Sequence, residues 1–107
     1  MSFTDTLEQM LAAAKNAAGI HWNDVRSYLP PEFERAKNEA ATLALEVAQK
    51  TKTPEQAKIE FEAIEESLRD VRLAATVDVK AAAQDAINAA LEVLRAAVNT
   101  AAKVPII

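Results

Sequence analysis

One glycine, Gly19, serves all 107 residues, and the four prolines fall at only three places: Pro30-Pro31, Pro54 and Pro105. Glycine and proline reverse a chain, the first by tolerating positive φ and the second by fixing φ. A β protein needs such a reversal about every 8–12 residues, and this chain has far too few. Long runs with few corners predict an all-α fold. The composition agrees, because 24 residues are alanine, the best helix former. At this length the chain is a single domain, residues 1–107.

The corners divide the chain. A first helix is expected from Ser2 or Thr4 to about Ala18, with Phe3, Leu7, Met10, Leu11 and Ala14 on one face and Gly19 as the left-handed residue beyond its end. Residues 19–31 form a connecting segment. Within it Asn23 is placed to cap a short helix reaching Leu29, and Leu29 itself, preceding proline, should be extended. The second long helix is expected from Pro31 to Thr51 along Phe33, Ala36, Ala40, Leu43 and Val47, with Glu46 and Lys50 as an i,i+4 pair. Thr53-Pro54-Glu55-Gln56 reads as a capping box with proline at the first helical position. A helix therefore starts at Pro54, and the two should form an antiparallel hairpin.

From Pro54 to Pro105 nothing punctuates the chain. Ala57, Phe61, Ile64, Leu68, Val71 and Ala75 keep 4–3–4–3–4 spacing, with Glu62, Glu65, Arg69 and Arg72 assigned to the water side. Past Val79 the apolar centre rotates by roughly 90° at 100° per residue. The change falls at residues 76–78, among poor helix formers, so a break or kink is expected there. The architecture read from this is a small up-down helical bundle. It has three long helices, the last two either separate or one long kinked helix, plus short N-terminal helical segments.

Residues 81–102 invert the usual amphipathic pattern. Asp85, Asn88, Glu92, Arg95 and Asn99 make one thin polar line, and Ile87, Leu91, Leu94 and Val98 centre a broad apolar face flanked by alanines. An ordinary surface helix has an apolar stripe only somewhat wider than about 100°, so this helix should have neighbours on two or three sides. Two arrangements stay open. It is the central helix of the monomer, or part of its face is covered by a second copy. On the second arrangement Ile87, Leu91, Leu94 and Val98 are interface candidates. Trp22 and Tyr28 join them, as aromatic residues suited either to a binding hot spot or to plugging a bundle end.

The chemistry-bearing residues exclude more than they indicate. Formal charge is −4 with no basic run, so nucleic acid is not an expected partner. There is no cysteine, which suits a reducing compartment, and the start of the chain shows no secretion-signal pattern. Asp85, Glu92 and Arg95 argue against a transmembrane segment in the most apolar stretch. His21 is the sole histidine and makes neither a two-histidine zinc site nor a di-iron motif. Glu62 and Glu66, one turn apart, fit a solvated face beside Lys58 and Arg69 better than a cation site. One glycine permits no phosphate loop. No catalytic, metal or cofactor residue is therefore assigned. The expectation is a cytoplasmic, non-enzymatic interaction or assembly protein, homo-oligomeric or docked to another helical protein through its C-terminal helix. The alternatives are an amphipathic binder of a lipid or other hydrophobic surface, and then a small helical enzyme or ligand carrier. Ile106 and Ile107, beyond Pro105, form an apolar tail whose role is a bundle-end contact or a docking peptide.

Overall fold

Four long helices follow one another in the computed structural model, which describes residues 3–102, with side chains from Asp5 onward. They are α1 (Phe3–Ala18), α3 (Leu29–Ala48), α4 (Pro54–Asp70) and α5 (Lys80–Ala102), with a single turn, α2 (Trp22–Val25), between the first two. No strand occurs among the described residues. The expectations of Phe3 on the inner face and of a tail at Ile106-Ile107 lie outside the described side chains and residues.

α1 ends where glycine allows it. Gly19 has φ +59°, and a Cβ there would meet no atom within 4 Å, so the backbone angle and not space calls for glycine. The chain then turns through a 3-10 segment, Gly19–His21, directly into α2. Asn23 is not the cap. Trp22 N–H already donates to the Gly19 carbonyl, so α2 grows out of a preceding helical turn and needs no side-chain acceptor. α3 begins at Leu29 and not at Pro31, with both prolines in its first turn. Leu29 is fully buried, and burial of a leucine, about 1.5–3 kcal/mol, overrides the pre-proline preference for extended backbone.

The end of α3 falls before Thr51 for a related reason. Lys50 has φ +63°. Its N–H donates to the Val47 carbonyl at 3.0 Å, and Thr51 N–H donates to that of Glu46 at 2.9 Å. These two bonds make a Schellman motif with lysine in glycine's usual position. Lys50 thus leaves the helix, and Glu46 meets Lys52 instead, at 3.4 Å. α4 starts as expected: Gln56 N–H donates to Thr53 Oγ1 at 3.2 Å and Thr53 N–H to Gln56 Oε1 at 3.1 Å. Lys52 also pairs with Glu60, and Arg35 donates to Ser67 Oγ at 3.3 Å. Both links pin α3 antiparallel to α4.

The last two helices are separate, and the break is wider than residues 76–78. α4 stops at Asp70, a 3-10 turn covers Val71–Ala74, Ala75 and Thr76 are extended, and a second turn covers Val77–Val79. The heptad-like row therefore ends at Leu68, and Val71 and Ala75 pack on the core from the connection. The helices alternate in direction. The Arg95–Glu65 contact and the cleft joining Arg69 to Gln84 set α5 antiparallel to α4, and the compact turns of residues 19–28 are too short to return the chain along α1.

α5 is the axle of this bundle. It contacts α1 most extensively, then α3, and α4 more sparsely. Buried Ala83, Ala86 and Ala90 on α5, and Ala14 and Ala18 on α1, have side chains short enough for close helix approach. Phe33, Phe61, Met10, Leu29 and Leu68 fill the remaining space as the largest buried side chains.

Candidate functional site

Ile87, Leu91, Leu94 and Val98 all lie in the interior of the single chain, each at most 1% exposed. α1, α3 and α4 cover the broad face of α5, so the interface role assigned to these four residues has no surface to act through in the folded monomer. The same four side chains are core. The physical reason is that α1 and α3 pack along α5 and α4 closes on it as well, which supplies the walls that the sequence pattern required.

Trp22 and Tyr28 are partly buried and pack on the end of the core. Tyr28 Oη is buried without a hydrogen-bond partner. Desolvation, and then the charge of Asp24, push its phenol above the ordinary value of 10.0. Nearby, His21 Nδ1 lies 3.3 Å from Asp24 Oδ2 in an exposed pair. Around these aromatics the topology gathers the two connections, residues 19–28 and 71–79, at one end of the bundle. Three large aliphatic side chains there face water: Ile20 (89% exposed), Val77 (86%) and Leu73 (63%). A helical period cannot reveal this set, since all three sit in non-α turns.

A second feature runs along the outside of the α3–α4 hairpin. A groove of about 440 Å³ is lined by the buried Leu43 and Ile64, the exposed Thr42 and Ala63, and the carboxylates Glu39, Glu46 and Glu60. Leu45 and Ile59, the other two exposed large aliphatics, stand on the outer faces of these helices. Arg35 holds Glu39 at 3.2 Å and Glu32 at 2.7 Å. Its guanidinium is held more strongly protonated than usual, chiefly by the Glu32 hydrogen bond. Lys52 is likewise shifted up, chiefly by Glu60.

The third is polar. A cleft of about 330 Å³ between α4 and α5 is lined by Arg69, Gln84, Asn88, Glu92 and Arg95 with Leu91. Glu65, which contacts the lining residues Arg69 and Arg95, is only 4% exposed, which corrects its assignment to the water side. Arg95 donates to its Oε2, and Arg69 lies 3.5 Å from the same oxygen. Among the described residues the ion pairs of α4 involve Glu60 and Glu65. A signal for this existed. Glu65 is four residues after Phe61 and Arg95 four after Leu91, about 40° round the helix from each, so both belong to the margin of the apolar face.

Among the described residues no three His, Asp or Glu side chains come together as a metal site, and no helix is long and apolar enough to cross a membrane. Comparison with protein-family models, curated proteins and solved structures finds no match to the chain.

Proposed function

We propose that the chain is a non-enzymatic helical interaction protein that self-associates through the bundle end carrying Ile20, Leu73 and Val77. One observation carries this reading. Large aliphatic side chains from two separate connections are left in water at the same end, beside two aromatics whose inner faces are already packed. Clustered exposed apolar surface marks interaction sites in soluble proteins.

Charge makes a second copy the fitting occupant. The segments 19–28 and 71–80 carry Asp24 and Asp78 against Arg26, Arg72 and Lys80. Two copies meeting there face little like-charge repulsion, and a two-fold arrangement lets each acid meet a base of its partner. Covering one large aliphatic contributes about 1.5–3 kcal/mol, offset by the cost of association.

The test is sedimentation velocity across a concentration series with the wild type and with Ile20→Glu and Val77→Glu. The expected result is a monomer–dimer equilibrium that both variants shift to monomer, with helicity unchanged and with the wild-type melting temperature at concentrations where all three are monomeric. A monomer mass at every concentration up to about 1 mM, a Kd worth only about 4 kcal/mol, refutes self-association. Pelleting of the wild type, but not of the variants, with phospholipid vesicles assigns the same end to a lipid surface instead.

A further inference from the structure

We propose that the outer groove of the α3–α4 hairpin is a docking surface for a basic amphipathic helix of another protein. Three observations converge on it. Leu43, Ala63 and Ile64 give the groove an apolar lining, and the exposed Leu45 and Ile59 lie one on each helix, each about a turn from a lining residue, Thr42 and Ala63. Two antiparallel helices with an apolar furrow between them are the receptor half of helix-in-groove recognition, where anchors at i, i+3 or i+4, and i+7 enter the furrow.

The charge of the molecule is segregated onto this hairpin. Residues 29–70 hold ten acidic and six basic side chains, a surplus equal to the net −4 of the whole chain, and the remaining residues balance six against six. Three of those acids, Glu39, Glu46 and Glu60, line the groove itself. Arg35 and Lys52 engage them in place, but two cations against three lining carboxylates leave the groove negative. A partner helix with lysines or arginines flanking an apolar stripe matches both the apolar lining and the carboxylates.

The same sign argument separates the other occupants. A second copy of this hairpin, an anionic bilayer and a nucleic acid would each bring negative charge to negative charge. The proposal does not depend on self-association at the bundle end, and it uses a different surface.

The probe is a fluorescent Leu/Lys amphipathic peptide of about 18 residues, five turns and about 27 Å, close to the length of α4. Two controls accompany it: the same composition scrambled to abolish the apolar stripe, and a Leu/Glu version with the stripe intact. Binding is read by fluorescence anisotropy, and its location by amide chemical shifts, in the Ile20→Glu background so that the bundle end does not contribute. The basic amphipathic peptide should bind at least tenfold more tightly than either control and shift Thr42, Leu43, Ala63 and Ile64. Its affinity should fall as salt rises from about 0.05 to 0.3 M. Leu45→Gln with Ile59→Gln should weaken it about tenfold or more without lowering the melting temperature, because both residues are exposed. The proposal is overturned by equal binding of a control, by no binding at about 1 mM peptide, or by shifts centred outside the hairpin. It is also overturned by an unaltered affinity in the double variant, or by groove shifts that depend on the protein's own concentration without peptide.

Discussion

Leu94→Ala separates a core helix from an interface helix more sharply than any other substitution in this chain. Leu94 is 0% exposed inside one chain. Truncating such a leucine removes its transfer free energy and leaves a cavity, a loss of about 2–5 kcal/mol. For 107 residues the unfolding entropy near the midpoint is about 0.22 kcal/mol/K at the usual 2.1 cal/mol/K per residue. Each kcal/mol therefore lowers the midpoint by about 4.4 °C, and the substitution should cost about 9–22 °C. The assay is a far-ultraviolet circular dichroism melt, repeated at several protein concentrations, because an interface loss depends on concentration and a core loss does not. A midpoint within about 2 °C of wild type, accompanied by a lower solution mass, would refute the reasoning and return this face to the surface.

Three further substitutions follow from particular contacts. Thr53→Ala removes half of the capping box at the start of α4 and should cost about 1 kcal/mol, a fall of about 4 °C in the same melt. Glu65→Leu should be neutral or stabilising, because an apolar residue replaces a buried carboxylate, whereas Arg95→Leu should destabilise by about 3 kcal/mol by leaving Glu65 with Arg69 alone; denaturant titration of both checks the asymmetry. Tyr28→Phe should remove part of the alkaline instability. The folded-state phenol is shifted above its ordinary 10.0, so the unfolded chain ionises first. The stability held by the neutral phenol is present below about pH 10 and is lost as pH rises through and beyond it. The difference between wild-type and Tyr28→Phe stability from pH 8 to about 11 isolates this group from Lys52, whose upward shift beside Glu60 is common to both proteins.

The helices were legible because few residues compete with helix here, and because the corners carry local chemistry. Thr53 to Gln56 specify their own bonds, and Gly19 its own backbone angle. Less legible were the features that depend on a neighbour. Lys50 adopts the left-handed conformation that a Schellman turn needs, a position where lysine gives no advance sign. Leu29 enters a helix against its local preference because a core awaits it. Glu65 and Arg95 face each other across two helices whose register no single-helix pattern records. Ile87, Leu91, Leu94 and Val98 centre a face so broad that it must be covered. The pattern alone does not say by which helices; α1, at the other end of the chain, supplies the largest share of the cover, with α3 and α4. The exposed aliphatics Ile20, Leu73 and Val77 belong to turns, where hydrophobic periodicity has nothing to measure.

The most extensive helix pairing in the molecule joins α1 to α5, its earliest helix and its latest. During synthesis, α1 lacks its main partner until α5 emerges from the ribosome, after α3 and α4. The α3–α4 hairpin, whose contacts are local, can form before that moment. The acidic hairpin is thus available before α5, the helix that draws the bundle together.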